Sequence, residues 1–180
     1  MRKNNKVLIE AAAQHPLING KPGEEFECRL KKAIQLYNME QEKGNYPIIY
    51  IPGSLHSIKK NGEWETDERS LSQAGKIYLL ENGIPAGNIR SDESNERFKE
   101  DGVYNSGDEC LVATLIARDE GIDRIVSVVS PVQISRKALF YLEYGYLPEM
   151  YGVGLEKTYH NYIGEAFWSL YITYFIDHTW

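Results

Sequence analysis

Cysteine is scarce in this chain of 180 residues: Cys28 and Cys110 are its only thiols. So few cysteines, without ligand-type spacing to one another or to histidine, exclude a disulfide framework and a cysteine-based metal centre. Reduced thiols, and with them a cytoplasmic setting, are expected. Long apolar runs are missing too. The longest, Ala166 to Ile176, reaches about half of the ~20 residues that a membrane-spanning helix needs. The basic start, Met1 to Lys6, runs straight into Val7-Leu8-Ile9-Glu10 and is too soon interrupted for a signal sequence. No membrane partner is expected. An excess of positive charge is also lacking. The formal net charge is −6 and the pI about 5.3, which argues against nucleic acid as a partner. No G-x-S-x-G element, internal repeat or low-complexity tract occurs.

What is present is alternation. Lys6 to Ala13 reads as a strand. Glu25 to Lys43 reads as a helix, with Phe26, Leu30, Ala33, Ile34 and Tyr37 at helical spacing and Gly44 as its stop. Pro47 to Ile51 is a strand apolar on both faces, as in a covered parallel sheet. Asn61-Gly62 signals a turn within a polar stretch. A helix over Asp67 to Asn82 ends at Gly83, with Pro85 beyond it. Asn88-Ile89-Arg90 is a short strand, and Asp92 to Tyr104 a charged, mobile loop. Ser106 to Glu120 is a helix, Arg124 to Val129 a strand, Pro131 to Tyr144 a helix and Leu147 to Val153 a strand. An aromatic-rich helix over about 159–178 closes the chain. The expectation is one domain over 1–180, an α/β three-layer Rossmann-like fold with a mostly parallel sheet. Ligands of such folds sit outside the carboxyl ends of the strands.

Several residues at those ends could carry chemistry. Arg29 falls inside the apolar arc of its helix, between Ala33 and Leu36, and must be paired. It either bridges to a core carboxylate such as Glu10 or holds a phosphate or carboxylate with its fork. Ser106 with Glu109, and Ser130 with Gln133, have the spacing of capping boxes. The same helix starts could receive an anion, because free N–H groups and the dipole point there. Asn105 adjoins the first pair. Arg136 lies off the Ile134, Ala138, Tyr141, Leu142 stripe, so little of the fold should depend on it, and with Arg29 it would neutralise the charge of the ligand. Gly53-Ser54 reads as a loop whose backbone N–H groups line a pocket. His56, or Asp108, is the acid–base candidate, with His15 second. Asp92-Glu93 and Asp108-Glu109 could accompany a divalent ion on a phosphate, but no metal site is expected.

In order and spacing, these segments resemble the YdcF/SanA/ElyC-like family, a bacterial domain family of poorly defined function. The resemblance is carried by Arg29-Leu30, by Gly83-Ile84-Pro85 with Ile89, by Asn105 to Cys110, and by Ser130, Arg136 and Lys137-Ala138, over roughly Val7 to Tyr144. The chain departs from the family where Gln133 stands for His, Glu109 for Asn, Ile51 to Ser54 for Ser-Gly-Gly and Ala11 to Ala13 for a glycine-rich strand end. The resemblance implies a Rossmann-like fold that takes a nucleotide-like ligand, with S-adenosylmethionine as a candidate.

The function expected is binding, with or without transformation, of a small anionic nucleotide- or phosphate-containing ligand. Two alternatives stand beside it: a non-catalytic regulatory module, and an assembly protein acting through its aromatic C-terminus. A helix apolar all round needs cover, and a second copy of the chain in a homodimer is the expected one.

Overall fold

The computed structural model describes residues 5–14, 17–54, 57–60, 63–66, 69–92, 103 and 105–154. Five parallel strands form the main sheet: β1 (Lys6–Ala11), β4 (Tyr46–Ile51), β7 (Ile89–Ser91), β8 (Arg124–Val129) and β9 (Glu149–Gly152). Their spatial order is β7-β4-β1-β8-β9, so in chain order the sheet runs 3-2-1-4-5. The chain winds outward from β1 to one edge, then returns to β1 and winds to the other. The reversal leaves a crevice at the carboxyl ends of β1 and β8, the topological switch point.

Helices cover both faces. α1 (Glu24–Glu42) and α2 (Leu71–Glu81) pack on the face formed by Val7, Ile9, Ile49, Ile51, Val126 and Val128. α3 (Ser106–Asp119) and α4 (Ile134–Glu143) pack on the other, against Leu8, Ile48, Tyr50 and Ile125. The central strands β1, β4 and β8 are buried on both sides, which is why they read as unbroken apolar runs. Gly75 lets α2 approach the sheet closely: a Cβ there would lie 2.8 Å from Ile51 Cγ2 and 2.9 Å from Phe26 Cζ.

The expected α/β three-layer architecture with its parallel sheet is what the structure has. Several element boundaries differ. β1 ends at Ala11, because Ala12 and Ala13 turn their carbonyls toward Arg29. α2 begins at Leu71, capped by Ser70, whose hydroxyl accepts from the Gln73 N–H in a capping box. Pro131–Gln133 is a 3₁₀ turn, and α4 starts only at Ile134. Two antiparallel hairpins stand outside the main sheet: β2 (Leu17–Ile18) with β3 (Lys21–Pro22), and β5 (Ser57–Lys60) with β6 (Glu63–Thr66). Asn19 and Gly20, both at positive φ, form the first turn, the Asn-Gly signature of a tight hairpin. The Asn61-Gly62 turn falls between β5 and β6, outside the described residues. No helix among the described residues is long and apolar enough to cross a membrane. The aromatic C-terminal helix expected over 159–178 lies outside the described residues.

One polar cluster ties α1 to the start of β8. Glu40 accepts from Lys43 Nζ at 2.7 Å and Asn45 Nδ2 at 2.6 Å, and pairs with Arg124 Nη2 at 2.7 Å. Burial alone would raise its carboxyl, but Lys43, Arg124 and Asn45 outweigh burial and hold it at about 2, against an ordinary 4.5. A carboxyl depressed in the folded state stabilises above its unfolded value and loses that contribution as pH falls toward the folded one. Glu40→Gln should therefore cost about 1–3 kcal/mol at pH 7. The gap between variant and parent should close as pH drops from 4.5 toward 2. Denaturant midpoints across that range check it; a pH-independent gap would contradict the assignment.

Candidate functional site

The register of the sheet places Tyr50, Glu10 and Ser127 side by side across β4, β1 and β8. All three are completely buried, on the face that α3 and α4 cover. Glu10 is a carboxylate inside an otherwise apolar strand. Its oxygens accept from Ser127 Oγ, from Lys137 Nζ, and from Tyr141 OH at 2.8 Å. Lys137 and Tyr141 are one helical turn apart on α4, so both reach the same carboxylate. The Lys137 ammonium also pairs with Glu109 Oε2 at 2.6 Å, from the first turn of α3.

Burial opposes the charge on Lys137, but Glu10 and Glu109 overcome it and raise the ammonium above a free lysine, so it stays protonated. Burial likewise raises Glu109. Lys137 opposes that shift, Glu10 adds to it, and the net direction is up. Burial pushes up the Cys110 thiol beside this cluster, which leaves it unreactive. It does the same to the phenols of Tyr50 and Tyr141, which remain donors.

On the opposite face of the sheet, α1 brings Arg29 to the end of β1. Its Nη1 donates to the carbonyls of Ala12 at 3.1 Å and Ala13 at 3.3 Å, and Nη2 to Gln14 Oε1 at 3.1 Å. Glu25 Oε1 lies 4.0 Å away. Arg29 is fully buried, and its Nε–H has no hydrogen-bond partner among the described residues. Burial lowers its pKa and outweighs Glu25, Glu109 and Glu10, which act to raise it. Ser130, the first residue after β8, is also fully buried, and its hydroxyl is without a partner among the described residues.

These placements revise several expectations. The bridge between Arg29 and Glu10 does not exist. Side chains alternate across a strand, and Glu10 faces α4 while Arg29 comes from α1 on the other side. Lys137 takes that role instead. Its signal was an isolated glutamate in an apolar strand together with a lysine one turn before Tyr141. Ser106 and Glu109 do not form a capping box. Asn105 caps α3, its Oδ1 accepting from the N–H groups of Gly107 and Asp108, and its Nδ2 donates to Asp108 Oδ2 at 2.6 Å. Glu109 goes to Lys137, and Ser106 Oγ accepts from Arg136 Nη2 at 3.1 Å. Arg136 thus links α4 to the start of α3. Ser130 and Gln133 do not form a capping box either; the Gln133 N–H donates to the Ser130 carbonyl in the 3₁₀ turn.

The Gly53-Ser54 loop has its backbone already engaged. Gly53 N–H donates to Asp92 Oδ2 and its carbonyl accepts from Ser72. Ser54 N–H and Oγ both donate to the Val103 carbonyl. Gly53 has φ +122°, a conformation that favours glycine. Asp92, expected at the start of a mobile loop, is buried and also accepts from Tyr50 OH. His56 and His15 lie outside the described residues. Asp108 is the acid–base candidate whose position is described, and it is tied to the Asn105 cap. Among the described residues no group of three or more His, Cys, Asp or Glu could hold a metal ion.

The buried pair makes a sharp stability prediction. Lys137→Met leaves Glu10 without its counter-charge and should cost about 3–5 kcal/mol. Replacing both, as Glu10→Gln with Lys137→Met, should recover a large part of that loss, because the unpaired charge is gone. Chemical denaturation of the two variants is the measurement. A single variant as stable as the parent would show that Lys137 is not buried against Glu10.

No protein-family model matches this chain, and no curated protein is detectably similar to it.

Proposed function

We propose that the chain binds a small anionic ligand in the crevice between the ends of β1 and β8, nucleotide- and phosphate-containing molecules included. The observation that carries this reading is a pair of fully buried donors, Arg29 Nε–H and Ser130 Oγ–H, unpartnered among the described residues at the switch point. A buried donor without an acceptor costs about 1–3 kcal/mol, and an anion supplies acceptors for both. The position is also where doubly wound folds receive ligands. The start of α1, the usual phosphate seat beside the first strand, carries Glu24, Glu25 and Glu27. That charge disfavours an anion there and moves the seat toward Ser130. The YdcF-like resemblance points to the same strand ends and puts S-adenosylmethionine among the candidates, in a cytoplasmic protein.

A thermal-shift series with orthophosphate, AMP, glucose 6-phosphate and S-adenosylmethionine tests the reading. A ligand at 100 times its Kd adds about 2.7 kcal/mol to the native state, so the midpoint should rise by several degrees, and less in Ser130→Ala. Turnover is scored on the same compounds to separate an enzyme from a binding module. No shift with any of them would leave the two donors as features of the fold alone.

A homodimer is a second reading. Leu142 in the last turn of α4 and Leu147 in the α4–β9 connection are 52% and 83% exposed, and the sequence beyond 159 is rich in aromatics. Light scattering at micromolar concentration should give twice the 20.6 kDa of one chain; the monomer mass would overturn it.

A further inference from the structure

The described cations around the switch point already have partners before any ligand arrives. Arg29, Lys137 and Arg136 face Glu10, Glu25 and Glu109, and the ion pairs and hydrogen bonds above engage them with one another or with main-chain and hydroxyl partners. Lys137 is fully buried, as Arg29 is, and carboxylates hold it from two sides. A pyrophosphate or triphosphate would bring several negative charges to a place where Arg29 and Lys137 already face carboxylates. It would also meet Glu109 and Glu25 at close range.

The unused hydrogen-bonding groups are of both kinds. Arg29 Nε–H and Ser130 Oγ–H are donors. Glu109 offers the complement: Lys137 engages its Oε2, and Oε1 carries no hydrogen bond among the described residues. Glu109 is also the partly accessible member of the cluster, with 15% of its side chain exposed against none for Lys137 and Glu10.

We infer that the ligand presents one anionic group beside a hydrogen-bond donor, a hydroxyl or an ammonium, and is not a polyphosphate. This rests on the anion-site reading above. The anionic group takes the Arg29 and Ser130 donors, and the neighbouring donor takes Glu109 Oε1. A donor that meets a carboxylate makes a charge-assisted hydrogen bond, roughly twice as strong as a neutral one. An anion alone leaves Glu109 facing it uncompensated.

Calorimetric titration of the full chain with three probes decides the matter: O-phosphoethanolamine, methyl phosphate and inorganic pyrophosphate. The first has an ammonium beside its phosphate, the second has no donor, and the third is a polyanion. O-phosphoethanolamine should bind about tenfold tighter than either of the others, the worth of one charge-assisted hydrogen bond. Glu109→Gln, checked for its fold by circular dichroism, should reduce that preference to within about threefold, because the carboxylate–ammonium contact weakens while the like charge facing methyl phosphate is removed. The ranking on the parent protein stands as a test if the variant fails to fold. Pyrophosphate binding as tightly as O-phosphoethanolamine, or tighter, overturns this inference and leaves the anion site standing. Equal binding of methyl phosphate and O-phosphoethanolamine also overturns it. Binding of none of the three overturns both readings.

Discussion

A charged lysine sealed between a sheet and two helices is the constraint from which the rest of this structure follows. Removing an ammonium and a carboxylate from water costs several kcal/mol per ion, and mutual attraction repays it only when the remaining hydrogen-bonding positions are filled. Around Lys137 and Glu10 they are filled from three elements. Ser127 comes from the neighbouring strand, Tyr141 from the next turn of α4, and Glu109 from the start of α3. Each contribution works in one geometry only: β1 and β8 paired in the observed register, α4 laid across both, and α3 beginning where β1 ends. A one-residue slip of β8 would turn Ser127 to the other face of the sheet. The ionic cluster therefore specifies an arrangement that apolar packing alone would leave less defined.

The same arrangement assembles the crevice. The short linkage between β8 and its 3₁₀ turn buries Ser130, and the end of β1 bends so that the Ala12 and Ala13 carbonyls meet the Arg29 fork. On the far side of β1, the Asp92 carboxylate holds both Tyr50 and the Gly53 backbone. That wall is closed by hydrogen bonds within the protein, while the β1–β8 side retains two buried donors, Arg29 Nε–H and Ser130 Oγ–H, without acceptors among the described residues. The asymmetry between the two sides of β1 locates the candidate site more narrowly than fold class does.

Acidic residues crowd the helix starts nearest the crevice, with Glu24, Glu25 and Glu27 on α1 and Asp108 and Glu109 on α3. Each stabilises its own helix through the dipole. Together they occupy the partial positive charge that a free phosphate would otherwise find. Pro131 to Gln133 has no acidic residue, which singles out the β8 end.

The alternation of strands and helices was legible in the amino-acid sequence, because apolar runs of strand length and stripes at helical spacing are local properties of consecutive residues. So were the glycine stops of α1 and α2, the segments at the carboxyl ends of the strands, and the burial of Arg29, whose place on a helical wheel needs no partner to be known. The hairpin at Asn19-Gly20 was not read, because its strands of two residues are too short for periodicity to mark. The identity of partners was not legible. Whether Glu10 meets Arg29 or Lys137 depends on which face of β1 each helix covers, and that is decided by the crossover connections and by strand order, not by either segment alone. Lysine is almost always a surface residue, so its place one turn before Tyr141 did not by itself mark Lys137 as the buried cation. Glu109 and Ser130 carry capping-box spacing but make no side-chain cap, because a buried ammonium in one case, and the 3₁₀ turn that enters α4 in the other, set their surroundings. Local periodicity determined the elements; the tertiary structure decided the charges, since an ion pair forms between residues far apart in sequence, Glu10 and Lys137, only after the sheet has brought them together.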